Sequence, residues 1–238
     1  MANETSLAGQ RVAVVGGSSG IGLAVAHAAA ARGAEVFVCS RDPSRAGSAV
    51  DGATAIAIDV TDDASVNEFF GKVGSLHHLV CTAASGFPAG LFRAPAADVR
   101  GLMESKFWGQ YRCARAASPI LAEGGSITFT SGIRSRRPAR GTEAFTVVNM
   151  AVEGMARALA LELAPLRVNA VAPGTVQTPV FDFMPADVRE KRLQAAAGQT
   201  TVGRVGQPPE VAEVFLMCMT NGFLTGAVID ADGGAMLT

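Results

Sequence analysis

The chain has 238 residues, of which 49% are hydrophobic and 17% are charged, which is typical of one globular domain with a substantial core. Its formal net charge of −1 gives no reason to expect a nucleic-acid partner or a membrane-surface partner. The N-terminal residues MANETSLAGQR lack a signal pattern, and no apolar run is expected to span a bilayer.

These properties predict a cytoplasmic protein. The four cysteines are widely spaced and form no CxxC pair, so we expect reduced thiols in the core and no metal site. They are Cys39, Cys81, Cys113 and Cys218.

Short apolar runs alternate along the chain with longer segments of helical periodicity. The predicted strands are RVAVVG (11–16), EVFVCS (35–40), ATAIAI (53–58), HHLVCT (77–82), SITFTS (126–131), LRVNAV (166–171) and GAVIDA (226–231). The predicted helical segments are 20–32, 96–122 and 142–164. This alternation predicts an α/β fold with a parallel sheet covered by helices on both faces, in a single domain over residues 1–238.

The sequence VGGSSGIG (15–22) follows the first predicted strand and opens the first predicted helix. Glycines there would let the chain turn tightly and let a pyrophosphate approach the helix N-terminus, where free N–H groups favour anions. The motif predicts a dinucleotide site, although a merely flexible turn remains open. The candidate cofactor-binding residues in this loop are Gly16, Ser18, Ser19, Gly20, Ile21 and Gly22.

Further motifs follow in order along the chain: DVTDD, RVNAVAPGTVQTP, VGRVGQPPEVAEVFLMC and TGAVIDADGG. Together with GGSSGIG they resemble the short-chain dehydrogenase/reductase family almost from end to end. The resemblance implies a doubly wound, Rossmann-type parallel sheet of about seven strands and a nicotinamide cofactor. It further implies that Asp59 and Val60 hold the adenine. The remaining residues expected at the cofactor are Ala83, Pro173, Gly174, Val176 and Thr178.

The end of the second predicted strand bears on the choice of cofactor. Ser40 stands where an acid would bind a ribose 2′-hydroxyl, and Arg41 follows it. A guanidinium can clamp a 2′-phosphate, whereas an acid would repel it. We therefore predict NADP(H), even though Ser19 stands where many NADP-binding members have a second basic residue. A solvent-facing Arg41 is the alternative.

The catalytic set that the resemblance implies is Asn, Ser, Tyr and Lys, and only the serine has a match, Ser131. Phe145 replaces the tyrosine, Asn149 replaces the lysine and Lys106 replaces the asparagine. Phenylalanine has no proton to give, and an asparagine can bond ribose hydroxyls but has no charge to shift a neighbour's pKa. The usual proton relay is therefore absent, and the candidate catalytic residues are Ser131, Lys106 and Asn149.

Lys106 is the candidate replacement for the missing acid. At helical spacing it shares a stripe with Leu102, Gly109 and Cys113, so we expect its side chain to point inward. A desolvated lysine near Ser131 could have a lowered pKa and donate a proton. The alternative is an ordinary lysine that extends from the helix edge to water.

The resemblance implies that two later segments border the site. The loop GIRSRRPARG (132–141) carries Arg134, Arg136, Arg137 and Arg140, which could recruit an anionic small-molecule substrate, pair with a neighbouring subunit or simply face solvent. The segment PVFDFMP (179–185) lies where relatives carry a mobile lid. Its Phe181, Phe183 and Met184 could line an apolar pocket or merely pack.

Three functions are consistent with the sequence. The first is an NADP(H)-dependent oxidoreductase acting on a carbonyl or alcohol, which the retained cofactor motifs favour. The second is a catalytically silent NADP(H)-binding protein, and the third is non-redox chemistry as in the related halohydrin dehalogenases. The apolar circumference of 149–164 and of much of 96–122 predicts that these helices are buried on more than the side that faces the sheet. The resemblance implies that they pair between subunits, so we expect a homotetramer or homodimer.

Overall fold

The computed structural model describes residues 6–42, 50–86 and 90–238. The strands are β1 (Arg11–Val15), β2 (Glu35–Ser40), β3 (Thr54–Ala57), β4 (Leu76–Cys81), β5 (Leu121–Thr130), β6 (Arg167–Pro173) and β7 (Val228–Ala231). They form one seven-stranded sheet in the order β3-β2-β1-β4-β5-β6-β7, and every pairing is parallel. The predicted doubly wound sheet is confirmed. Its strand order reverses between β1 and β4, where such sheets bind ligands at the carboxyl ends of the strands.

Helices cover both faces of this sheet. They are α1 (Gly20–Ala31), α2 (Asp63–Val73), α3 (Ala96–Leu102), α4 (Gly109–Ala117), α5 (Glu143–Glu162), α6 (Ala186–Ala197) and α7 (Pro208–Thr220). Side chains of β1 alternate between the two layers, because successive residues of a strand point to opposite faces. Ala13 and Val15 belong to one buried cluster, and Val12 and Val14 belong to the other.

A π-helical turn, Met103–Trp108, joins α3 to α4. The predicted helix over 96–122 is wrong at its C-terminal end, since α4 ends at Ala117 and a 3-10 turn, Ser118–Ile120, follows. Pro119 has no N–H to continue the helical hydrogen bonds. The strand β5 then begins at Leu121, five residues before its predicted start.

The helix α5 lies within the predicted helical segment 142–164, but the expectation that no apolar run could span a bilayer does not hold for its length and composition. Its most apolar window has a mean hydropathy of 1.3, and by length and composition alone the helix could cross a membrane. In this fold it packs against β6 and against the turn that follows β5, and its buried stripe includes the polar residues Asn149 and Glu153. These contacts are those of a core helix in a globular domain.

The histidines and cysteines take structural positions. All four cysteines are free and buried. Inside β4, His78 lies 2.8 Å from the Ser126 hydroxyl and 2.6 Å from the Gln10 side-chain oxygen. Burial, with smaller contributions from Arg167 and His77, lowers the pKa of His78 to about 3, so its ring is neutral near pH 7.

Candidate functional site

The glycine loop after β1 is held against the end of β4. Gly16 has φ of +85°, a left-handed conformation that side chains rarely adopt. A Cβ added there would lie 2.6 Å from the Ala83 nitrogen and 2.7 Å from the Thr82 hydroxyl oxygen. Thr82 itself donates to the Val15 carbonyl at 3.0 Å. The loop therefore needs glycine both for its turn and for this close approach.

The start of α1 is built to receive an anion. Its N-cap residue, Ser19, makes no side-chain capping bond, and no acidic residue lies in the first turn. A Cβ on Gly22 would collide with the Gly16 carbonyl and the Thr82 hydroxyl. These features leave bare backbone N–H groups facing the loop, which is the arrangement that binds a dinucleotide pyrophosphate. Ser18, Gly20 and Ile21 complete the same turn.

Predicted cofactor residues from distant parts of the chain meet at this loop. A Cβ on Gly20 would lie 3.2 Å from the Thr178 methyl group. Gly174 donates its N–H to Ala231 at 3.0 Å, directly after Pro173 ends β6. Val176 forms an isolated bridge with Gly206. The expected nicotinamide side thus stands beside the expected pyrophosphate side.

The expected adenine side lies at the ends of β2 and β3. Asp59 accepts hydrogen bonds from the Thr61 N–H at 2.9 Å and the Thr61 hydroxyl at 2.7 Å. These bonds, with a smaller contribution from Arg41, lower the pKa of Asp59. Ser40 donates its hydroxyl to the Asp42 carbonyl at 2.8 Å, and Arg41 is exposed. A Cβ on Gly109 would lie 2.8 Å from Val60, so Val60 rests on α4.

Asn149 provides an independent test of the fit to a nicotinamide cofactor. Its side-chain N–H donates to the Gly132 carbonyl at 3.3 Å. Its side-chain oxygen is buried and has no hydrogen-bond partner among the described residues. A buried acceptor left unpaired is costly, and a ribose hydroxyl could supply the missing donor. The cradle and this orphaned oxygen both suit the cofactor.

Lys106 points into the protein. Only 8% of the residue is exposed, which excludes the alternative of a lysine extending to water. Its Nζ donates to the Ser131 carbonyl at 2.9 Å and lies 5.9 Å from the centroid of the Phe145 ring. Among the ion pairs of the described residues, none includes Lys106. Burial lowers the pKa of Lys106 from 10.5 to about 8, so the ammonium can release its proton near neutral pH.

The hydroxyl of Ser131 contacts the helix α5. It donates to the Glu153 carboxylate at 2.9 Å and lies 3.3 Å from the Asn149 carbonyl. Ser135 donates to the same carboxylate oxygen at 2.5 Å. Because a serine has one proton to donate, this arrangement directs the Ser131 proton into α5. The carbonyl of Ser131 accepts the hydrogen bond from Lys106.

The sequence analysis overlooked Glu153. This carboxylate is 4% exposed and lies 3.7 Å from the Arg136 guanidinium. It is on the buried stripe of α5, four residues after Asn149. A charged residue at a core position of an apolar helix was the available signal, because such residues are rarely buried unless paired.

The arginine loop is partly internal. Arg136 forms a double hydrogen bond with Asp230, one arm of which is 2.9 Å long. Arg137 donates to the Gln199 carbonyl at 3.4 Å and to the Ala235 carbonyl. These contacts tie the loop to the C-terminal segment, so the interpretation of a wholly solvated loop is wrong for these two residues. Arg140 is exposed.

The segment expected to form a lid contains both buried and exposed apolar residues. Phe181 is buried, whereas Phe183 is 65% exposed. Met184 is half-buried and its N–H donates to Phe181 at 3.1 Å. The Arg192 guanidinium lies over the Phe181 ring, 5.6 Å from its centroid.

Comparison with known proteins identifies the family of this chain. A family model described as enoyl-(acyl carrier protein) reductase matches residues 15–236. The short-chain dehydrogenase/reductase ATR9 of Stachybotrys chlorohalonatus is 32% identical, over 98% of this chain and 99% of the relative. A solved small-chain dehydrogenase in complex with NADPH superposes with a TM-score of 0.88 at 36% identity, over 96% of this chain and 99% of that one. The MalC reductase/Diels-Alderase of Malbranchea aurantiaca superposes with a TM-score of 0.90 at 29% identity, over 99% of this chain and 100% of that one. The chain therefore belongs to the short-chain dehydrogenase/reductase family.

Proposed function

We propose that the protein is an NADP(H)-dependent oxidoreductase that interconverts a carbonyl and an alcohol, with Lys106 as the proton donor and acceptor. The observation that carries this proposal is the buried Lys106 ammonium, fixed by the Ser131 carbonyl next to Phe145. The glycine loop, which suits a dinucleotide, and the NADPH complex of a structural relative support the choice of cofactor.

In this proposal, separate residues of the chain bind the cofactor and transfer the proton. The unpaired backbone N–H groups at the start of α1 would bind the pyrophosphate. The buried, unpaired side-chain oxygen of Asn149 would accept a hydrogen bond from a ribose hydroxyl. The bound nicotinamide supplies or accepts the hydride. Lys106 has three N–H donors and uses one on Ser131, so another can reach a substrate oxygen. In reduction that N–H donates to the developing alkoxide, and in oxidation the neutral amine takes the proton back.

The direct test combines binding with turnover. Purified protein is titrated with NADPH and then mixed with a panel of aldehydes and ketones, with NADPH consumption followed at each substrate. Tight binding together with consumption supports the proposal. Tight binding with no consumption across a broad panel would contradict it.

A silent NADP(H)-binding protein is the second candidate. The observation that favours it is the pairing of the Ser131 hydroxyl with Glu153, which removes the one matching catalytic residue from the substrate side. Phe145 has no proton to replace it. Such a protein would bind the cofactor through the same loop and act as a sensor or scaffold, and the same panel distinguishes the two candidates.

Cofactor choice gives the first prediction. We expect the protein to bind NADPH more tightly than NADH, and Arg41→Ala to narrow that difference by about 10- to 150-fold, since a charge-assisted phosphate contact is worth about 1.5–3 kcal/mol. Calorimetric titration of both cofactors measures it. The matched control is Arg100→Ala, another exposed arginine, on α3. Equal affinity for the two cofactors in the unmodified protein would contradict the prediction.

Assembly gives the second prediction. Among residues of α5, Val147, Met150 and Leu161 are exposed, and Trp108 on the neighbouring helical segment is 44% exposed. Apolar surface of this extent on adjacent helices favours contact with another copy, so we propose a homotetramer or homodimer. Light scattering at micromolar concentration should show at least a dimer, and Met150→Arg should weaken it.

Val188→Arg is the control for this prediction, because Val188 is similarly exposed but lies on α6. A monomeric parent protein would exclude the assembly.

We also propose a cytoplasmic location, which the four free, buried cysteines support because reduced thiols are usual there.

A further inference from the structure

A buried carboxylate is joined to Lys106 through a single residue. The Lys106 Nζ donates to the Ser131 carbonyl at 2.9 Å, and the Ser131 hydroxyl donates to the Glu153 carboxylate at 2.9 Å. All three residues are buried. A contact that fixes the Ser131 peptide group therefore also fixes the oxygen that accepts from the Lys106 ammonium.

The sheet does not fix the Ser131 carbonyl. The strand β5 ends at Thr130, and a further ladder bond to β6 runs from the Ser131 N–H to the Val171 carbonyl at 2.8 Å. In a parallel ladder the next donor to the Ser131 carbonyl would be residue 173. That residue is Pro173, which has no N–H. Lys106 supplies the hydrogen bond in its place, so side-chain contacts decide the direction of this carbonyl.

Glu153 contacts three residues of the chain at and after the end of β5. Its carboxylate accepts from the Ser131 hydroxyl and, at 2.5 Å, from the Ser135 hydroxyl. The Arg136 guanidinium lies 3.7 Å from the other carboxylate oxygen and also bonds Asp230 of β7. One side chain of α5 thus holds the end of β5 and the turn that follows it.

Stability alone does not account for a carboxylate at this position. Its neighbours on the buried stripe of α5 include Val152, Met155 and Ala156, which are apolar. An apolar residue at 153 would continue the stripe, and replacing a buried ion pair with apolar residues is often neutral or stabilising. The groups that Glu153 directs account for it instead.

Glu153 lies one helical turn after Asn149 on α5. The Asn149 side chain donates to the Gly132 carbonyl at 3.3 Å, and the Asn149 backbone carbonyl lies 3.3 Å from the Ser131 hydroxyl. The peptide group between Ser131 and Gly132 is therefore held to α5 from both of its ends. Loss of the Glu153 contact leaves only these two longer bonds to hold it.

We propose that Glu153 is a positioning residue for Lys106. By accepting from the Ser131 hydroxyl it sets the direction of the Ser131 carbonyl, and this carbonyl directs the Lys106 ammonium. The effect on the direction of Lys106 is independent of the reaction, whereas the effect on turnover rests on the proposed function. Ser131 then acts through both of its polar groups.

Lysine side-chain NMR tests the inference without turnover. The chain contains three lysines, Lys72, Lys106 and Lys191, and the first and last are exposed, so lysine labelling gives an assignable signal for Lys106. At a pH well below its pKa, Glu153→Met and Ser131→Ala should each speed the exchange of its Nζ protons with water by about tenfold or more, because a loosened hydrogen bond no longer protects them. Glu153→Gln should keep most of the protection, because its amide oxygen still accepts from Ser131.

Ser126→Ala is the matched control. Ser126 is a buried serine on the same strand, and its hydroxyl contacts His78. Its loss should lower the thermal stability to an extent similar to that of Ser131→Ala, but it should leave the Lys106 signal and the turnover unchanged. A merely structural role for the Ser131 hydroxyl would not separate these two alanine variants.

Kinetics provide a second readout. On the substrate found in the carbonyl panel, Ser131→Ala and Glu153→Met should lower kcat by about 10- to 100-fold and change KM only a few-fold. Neither should lower the residual rate of Lys106→Met further, because a misdirected lysine and an absent one lose the same contribution. Thermal unfolding and NADPH binding verify that each variant is folded. If Glu153→Met does not fold, Ser131→Ala decides the test.

Exchange and turnover together separate this inference from the proposed function. Faster exchange at Lys106 in both variants, in a protein that turns over no carbonyl, would support the positioning role and count against the oxidoreductase. Turnover by the parent, with exchange and kcat unchanged in both variants, would overturn the positioning role and leave the oxidoreductase standing. Equally fast exchange in Ser126→Ala would also overturn the positioning role, since the effect would then be a general loosening of the strand.

Discussion

Replacing Lys106 with methionine should lower turnover by about 10²–10⁴-fold, the usual contribution of general acid catalysis. NADPH affinity should change little, because the expected cofactor contacts lie on the glycine loop, Asn149 and the segment after β6. Methionine keeps most of the buried volume that lysine fills, so the variant removes the proton and the charge with little loss of packing. Lys106→Ala should have the same effect on turnover. Steady-state rates on the substrate found in the carbonyl panel provide the measurement.

The pH dependence of the rate is a second readout for Lys106. Since the pKa of Lys106 is lowered to about 8, the ammonium form is present below that pH and is lost above it. Carbonyl reduction should therefore slow as pH rises through about 8, whereas alcohol oxidation, which needs the neutral amine, should accelerate. The residual activity of Lys106→Met should lack this transition. Turnover within a few-fold of the parent would remove Lys106 from the mechanism.

The same group should affect folding stability in a defined pH window. The folded-state pKa of about 8 lies below the ordinary value of 10.5, so the unfolded chain binds more protons between these two values. The free energy of unfolding of the parent should then rise, relative to Lys106→Met, as pH increases from about 8 to 10.5. The full difference is about 3 kcal/mol. Denaturant titrations of both proteins across this range measure it.

The second large effect is expected at Gly22. An alanine there would place its Cβ against the Gly16 carbonyl and the Thr82 hydroxyl. The Gly16 carbonyl belongs to the loop that would receive the pyrophosphate. Relief of the collision must move the loop or the start of α1. We expect Gly22→Ala to weaken NADPH binding by about 100-fold or more, since the free N–H groups would lose their common direction.

Gly71→Ala is the matched control, because Gly71 lies in α2 and a Cβ there would meet nothing within 4 Å. It should preserve NADPH affinity and stabilise the protein by about 0.5–1 kcal/mol, the usual gain when a helical glycine becomes alanine. Calorimetry and thermal unfolding of both variants complete the test. Unchanged NADPH affinity in Gly22→Ala would place the cofactor elsewhere.

The fold was predictable because its signals are local and agree with one another. Apolar strands alternate with helical segments, and the glycine loop follows β1 as the resemblance requires. The inward direction of Lys106 was predictable too, since Leu102, Gly109 and Cys113 on the same stripe are all buried. The end of α4 was missed although Pro119 was a signal for it, since proline has no N–H to continue the helical hydrogen bonds. Beyond it, Leu121 pairs with Leu76 of β4 and begins β5.

The site was less predictable than the fold because its geometry depends on side-chain directions. Successive residues at the end of β5 point to opposite sides, so a serine at 131 and one at 132 would face different surroundings. A Cβ on Gly132 would lie 3.0 Å from the Asn149 side-chain nitrogen, whereas the Ser131 hydroxyl meets Glu153. A motif match that identifies the serine cannot decide between these directions. Only the packing of α5 on β5 does.

The π-helical turn at Met103–Trp108 determines how α3 is rotated about the helix axis relative to α4. The Gly109 N–H bonds the Glu104 carbonyl, five residues back, so this turn holds more residues than an α-turn. Deleting one residue would rotate α3 by about 100° relative to α4. Either Lys106 or the contact of Gly109 with Val60 would then leave its place. The identity of the residue at 106 can therefore change during evolution far more easily than the number of residues that precede Gly109.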